Sequence, residues 1–172
     1  MLHGSTMGMN GVYFHMGTPF FYSMWQPVEH KGTPARVYPT YFSLLFMAQA
    51  LSNITDPYIL PLAAATQDSD LALYGIHSKA PSADSKPEKV FILNLAYLPA
   101  SSTSAVKPSK SVDVSATFVK RVNVTRLSGP GSDSISGATL AGQSFDSGKA
   151  QGEKGGDGRG NGNAAEQRGC DY

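Results

Sequence analysis

The feature that most constrains this chain is the uneven placement of its large apolar side chains. Residues 1–52 of 172 hold all six methionines, the single tryptophan and ten of the seventeen Phe, Tyr and Trp residues. In GVYFHMGTPFFYSMWQPVEH, positions 11–30, ten side chains are aromatic, imidazole or thioether. Burying such material requires packed layers, because one strand or helix cannot cover its own apolar face. The last 24 residues, from Lys149, are the reverse, with seven glycines and no Val, Ile, Leu, Met, Phe or Trp. That segment cannot offset its ordering entropy by burial, so 149–172 is expected to be a disordered Gly-rich tail.

Charge and cysteine content exclude several classes. A net charge of +1, spread along the chain, offers no basic stripe for nucleic acid and no acidic block. Cys170 is the only cysteine, which excludes an intramolecular disulfide and a Cys-based zinc cluster. No metal and no cofactor is expected. No stretch approaches the roughly 18 apolar residues of a membrane-spanning helix, and no membrane partner is expected. The opening Met1-Leu2-His3-Gly4 lacks the basic and apolar regions of a secretory signal. Asn53-Ile54-Thr55 and Asn123-Val124-Thr125 fit the N-glycosylation acceptor pattern, which marks Asn53 and Asn123 as candidate glycan sites in a secreted protein.

The chain divides into two patterned regions before the tail. Residues 12–15 (VYFH), an apolar run bounded by Gly11 and Gly17, predict a strand covered on both faces. After a loop closed by Pro34, PTYFSLLFMAQAL predicts a helix over 39–51, with Pro39 in the first turn and Phe42, Leu45, Phe46 and Leu51 on its apolar face. Strand, loop and helix make one βα unit, which needs neighbours to bury it. From Tyr58 onward, short β-rich runs predict strands over 58–66, 71–78, 89–98, 112–118, 122–127 and 137–145, separated by Ser/Pro/Lys-rich loops at 79–86 and 99–109. Val122 and Val124 alternate with Asn123 and Thr125, which predicts valines inward and the sequon outward. Regular spacing of such strands points to an antiparallel β-sandwich over 53–148.

Local motifs outside the aromatic segment carry little chemistry. His77 sits in a strand-like run without metal-ligand spacing around it. Ser132-Asp133-Ser134 lies in a Gly/Ser-rich turn with no histidine near it in sequence, and GGDGRGNGN matches neither the P-loop nor the dinucleotide fingerprint. None is assigned a catalytic role.

Three blocks together resemble a known family. MGMNGVYFHMGTPFFYSMWQP, then VYPTYFSLLFMAQAL, then RLSGPGSDSISGATLAGQSFDSG are similar, in this order, to the C-terminal part of family 79 glycoside hydrolases, the β-glucuronidase and heparanase-related group. The resemblance runs from Met1 to about Gly148. It implies a mainly β chain: the last strand, loop and helix of an incomplete (β/α)8 barrel over 1–52, a β-sandwich C-terminal domain over 53–148, and the Gly-rich tail.

The resemblance also implies a retaining glycosidase acting on a glucuronide-type carbohydrate, and an extracellular location. Retaining chemistry needs two carboxyl groups about 5–5.5 Å apart. In residues 1–52 the only acidic side chain is Glu29. The family's two catalytic glutamates belong to earlier barrel strands, so the chain reads as a C-terminal fragment without catalytic residues, inactive alone, whose structural partner is the missing barrel segment. Its contribution to the sugar pocket would be His15, Gly17, Phe20 and Tyr22, at the barrel face where substrates bind. The opposing reading places Phe14, Phe21 and Trp25 in a core, with His15 a buried, satisfied histidine. Pro19 stands where the family pattern has glycine and lacks the N–H that could cradle a carboxylate oxygen, Phe20 replaces a tyrosine, and Leu140 replaces a tryptophan. A different class of function is an autonomous β-sandwich that binds carbohydrate or protein through the aromatic segment.

Overall fold

The structure, a computed structural model, describes residues 1–17, 22–62, 70–102, 109–115, 117–118, 121–146, 148, 152–154 and 170–171. Among the described residues two helices, α1 (Leu2–Thr6) and α2 (Pro39–Leu51), accompany eleven strands, and every pairing between these strands is antiparallel. Helix α2 has the expected bounds, with Pro39 in the first turn, where its missing N–H needs no partner.

The longest sheet is β3 (Tyr58–Pro61), β4 (Leu71–His77) and β5 (Lys89–Asn94), in that spatial order. Register places Leu60 opposite Gly75 and Gly75 opposite Val90. Because side chains alternate across a strand, Ala72, Tyr74 and Ile76 share one face. On that face Leu2, Tyr74, Ile76 and Phe91 are buried together, and Phe46, Met47, Ala50 and Leu51 of α2 pack against them. Gly75 points the other way, where an added Cβ would lie 3.0 Å from Pro87 and 3.1 Å from Leu62.

The second sheet is a meander of two-residue strands in the spatial order β10 (Glu153–Lys154), β9 (Gln143–Ser144), β8 (Thr139–Leu140), β7 (Leu127–Ser128). Between Leu140 and Gln143 the chain turns through Ala141 (φ 51°) and Gly142 (φ 77°). Positive φ at both central residues is the requirement of a type I′ hairpin, whose twist matches that of the flanking strands. A second core forms here from Val37, Phe42 and Leu140, with Trp25, Tyr41, Leu45, Phe46 and Phe145 against it. The Phe145 ring meets Phe42 edge-on at 5.6 Å.

Helix α2 therefore faces two ways. Tyr41, Phe42 and Leu45 turn to the meander, Met47, Ala50 and Leu51 to the three-stranded sheet, and Phe46 touches both cores. The ring of Phe46 lies 4.6 Å from that of Phe91. This explains why the helix is apolar over most of its circumference, since a helix buried on more than one side needs no wide polar face. Its C-terminus is held electrostatically: Lys89 of β5 donates from Nζ to the carbonyls of Ala50 (2.9 Å) and Ser52 (2.6 Å), a cation at the negative end of the helix dipole.

Several sequence expectations are corrected. Residues 9–17 form no strand; Val12 and Tyr13 are 42% and 96% exposed. A doubly covered parallel strand takes its hydrogen bonds from a neighbour on each side, and no described strand runs beside this segment. The short ribbon in this region is instead β1 (Trp25–Gln26) paired with β2 (Arg36–Val37), and the chain between them reverses at His30 and Thr33 through Lys31 and Gly32, both at positive φ. The expected strand over 122–127 is also absent as such. Val122 and Val124 are both exposed, and pairing begins only at Leu127. Of 112–118, only β6 (Ser111–Val112) is strand among the described residues. The tail contributes structure that its composition does not suggest: β10 pairs with β9, and β11 (Cys170–Asp171) pairs with β6. Backbone hydrogen bonds need no apolar side chain, so β10 can extend the β9 edge of the meander and β11 can form a two-stranded ribbon with β6.

Candidate functional site

The first and third sequence blocks meet in space. The indole Nε1 of Trp25 donates to the carbonyl of Gly148 at 2.7 Å, across 123 residues. Gly148 is buried with φ 75°, and a Cβ there would lie 2.5 Å from the carbonyl oxygen of Ala35. A guanidinium nitrogen of Arg36 donates to the Ile135 carbonyl at 3.3 Å, while the same group sits 5.0 Å from the centre of the Tyr38 ring. The paired β1–β2 ribbon is thus tied to the two ends of the 135–148 segment, through Trp25 to Gly148 and through Arg36 to Ile135.

Gln26 organises the hairpin from inside. Its side chain is 5% exposed; Nε2 donates to the carbonyls of Thr33 (2.9 Å) and Pro34 (3.3 Å), and the Tyr38 hydroxyl donates to Oε1 at 3.3 Å. A buried amide costs free energy unless its groups are paired, and here both ends are. Gln26 is therefore structural in this fold. Glu29, the one carboxylate of residues 1–52, is exposed on the same hairpin.

Alanine at Gly148 is expected to destabilise the chain by about 2–3 kcal/mol, combining left-handed backbone strain with displacement of the carbonyl from the indole as the new Cβ is pushed off Ala35. Trp25 is the only tryptophan, so its emission reports this contact directly. Urea unfolding followed by fluorescence should show a lower midpoint and a red-shifted native spectrum, as the indole exchanges its carbonyl partner for water. A native spectrum identical to that of the parent chain would refute the assignment.

Of the sugar-site candidates, His15 and Tyr22 are brought together. Their rings meet edge to face at 5.5 Å, with planes at 89°. Both are exposed, Tyr22 at 60%, so His15 is not a buried core histidine. Gly17 is half-buried with φ 137°, a conformation that favours glycine. Phe20 lies outside the described residues, as do Pro19 and Phe21. Phe14 is exposed, and Trp25 is partly buried against the second core. Imidazole, phenol and their ring faces can hydrogen-bond hydroxyls and cover a sugar ring; without a second carboxylate they cannot perform general acid and nucleophile chemistry together.

The two sequons differ in local structure. Asn53 follows the last turn of α2 with φ 63°, the left-handed conformation that ends many helices and that asparagine tolerates well. Asn123 lies exposed in a stretch without regular structure, and its Thr125 hydroxyl accepts from Gln49 Nε2 at 3.4 Å. Both asparagines are exposed.

The remaining polar motifs are accounted for by structure. His77 is buried in β4 opposite Tyr58. Asp133 Oδ1 accepts from Ala100 N at 2.6 Å and Ser132 Oγ from Leu98 N at 3.0 Å, which docks the 131–134 turn onto the chain after β5. Hydrogen bonds from Ser115 hold the exposed Asp113 carboxyl below the usual range. Among the described residues no group of three or more His, Cys, Asp or Glu could hold a metal ion, and no helix is long and apolar enough to cross a membrane.

The described residues thus form antiparallel β sheets around one long helix, with the exposed His15 and Tyr22 ring pair outside both cores. The glycosyl hydrolase family 79 C-terminal beta domain matches residues 74–169, more than half of the chain, which therefore belongs to that family. The match begins within β4 and runs past Gly148, where the resemblance was expected to end; residues 1–73, which contain the first two blocks, lie outside it. No curated protein and no solved structure matches the chain.

Proposed function

We propose that this chain is the C-terminal part of a β-glucuronidase-like retaining glycoside hydrolase, supplying the β domain and one rim of the sugar pocket. The observation that carries this reading is the family match over 74–169, joined to the aromatic segment through the Trp25 to Gly148 hydrogen bond. In that assembly the 12–15 segment, exposed coil in this chain, becomes the terminal strand once the remaining units of the (β/α)8 barrel, its structural partner, lie beside it; residues 1–52 supply that strand, loop and helix, and 53–148 form a β-sandwich. His15, Gly17, Phe20 and Tyr22 line the subsite for a glucuronide-type carbohydrate. The enzyme acts outside the cell, with Asn53 and Asn123 as glycan carriers, and requires neither metal nor cofactor. Both catalytic carboxyl groups belong to the barrel, so purified chain is expected to release no nitrophenol from a nitrophenyl β-glucuronide above the buffer rate. Any turnover by contaminant-free protein would overturn the proposal.

A second reading is supported by the position of α2, which completes two cores of the chain by itself. On that reading the chain is an autonomous carbohydrate- or protein-binding module. Calorimetric titration with a glucuronide separates the two: binding by the chain alone that is abolished in His15→Ala favours the module, and binding only after a barrel segment is supplied favours the fragment.

A further inference from the structure

Asn10 and Gly11 lie exposed in the coil between α1 and His15, and neither the Asn10 side chain nor the Gly11 N–H has a hydrogen-bond partner among the described residues. The other described asparagines precede Ile54, Leu95 and Val124, whose side chains crowd the following amide. Glycine presents its nitrogen with no Cβ and adopts almost any φ, so the nitrogen can swing onto the preceding side chain. The backbone around Gly11 has room to turn, since among the described residues the nearest atoms to an added Cβ there belong to the Tyr13 ring, 3.7 Å away.

We propose that Asn10 is a site of spontaneous covalent modification. The Gly11 nitrogen, deprotonated by hydroxide, bonds to the side-chain carbonyl carbon of Asn10. The bond from that carbon to the amide nitrogen breaks, ammonia leaves with a proton taken from water, and a succinimide ring closes. Water then opens the ring at either carbonyl, giving aspartate or, with the main chain rerouted through the side chain, isoaspartate. No electrons are transferred, and water is the only co-reactant. The product adds a carboxylate five residues before His15 and lowers the formal net charge from +1 to zero.

The test is incubation of the full chain at mildly alkaline pH, followed by peptide mass spectrometry and enzymatic isoaspartate detection. Asn10 is expected to lose its amide at least about tenfold faster than Asn123, a barrier difference of about 1.4 kcal/mol. Isoaspartate should appear at position 10, and Gly11→Val should slow the loss by a similar factor. Loss at Asn10 no faster than at Asn123, or an unchanged rate in Gly11→Val, would overturn the assignment.

Discussion

Phe42→Ala is expected to lower the unfolding free energy by about 3–5 kcal/mol, a large share of the roughly 5–15 kcal/mol that holds a domain together. Phe42 is 2% exposed, packs with Val37 and Leu140, and meets the Phe145 ring edge-on, so truncation leaves a cavity lined by three different segments. Those segments belong to the hairpin, the helix and the meander, and each is too short to collapse independently into the space. Equilibrium urea unfolding, read by circular dichroism and by Trp25 emission, should show one transition shifted to lower denaturant. A change below about 1 kcal/mol would match an ordinary surface substitution and would contradict the position of this ring.

Ile76→Ala is expected to cost about 2–5 kcal/mol for the same physical reason at the other core. Ile76 is fully buried, at 0% exposure, on the central strand of the longest sheet, under Phe46, Met47 and Ala50 of the helix. Phe46 reaches both cores, so the two should melt as one cooperative unit, with the loss from either variant appearing in both signals. Separate transitions for helix and sheet in Ile76→Ala would show that the helix is held chiefly by the meander. Either outcome bears on the proposed division at residue 52, because a boundary crossed by Phe42, Phe46 and Met47 is energetically continuous.

What was legible in the sequence follows from local rules. Pro39 and the apolar run to Leu51 mark a helix because a first-turn proline and straight-chain apolar residues act within one or two turns. The 71–77 and 89–94 strands were legible because their β-branched and aromatic runs are bounded by polar turns. Lys31-Gly32 and Ala141-Gly142 were not read as hairpin turns, because lysine and alanine do not advertise positive φ as asparagine does; glycine in the second place was the available signal. The candidate pair His15 and Tyr22 was named from the sequence, but their mutual contact and exposure were not, since burial belongs to the surroundings of a residue and not to its type.

By itself, the sequence determined the helix, the two longest described strands, the family of the C-terminal half and the scarcity of carboxylates in the first 52 residues. These depend on residue type and spacing over a few positions. Only the tertiary structure decided that residues 12–15 are exposed coil, that α2 serves two cores, that Gly148 must be glycine beside Ala35, and that the ends of the Gly-rich tail pair with β9 and β6. Each of those depends on a partner far away along the chain. A strand without a neighbour leaves its hydrogen bonds to water, whereas a glycine-rich segment with a neighbour can complete a sheet.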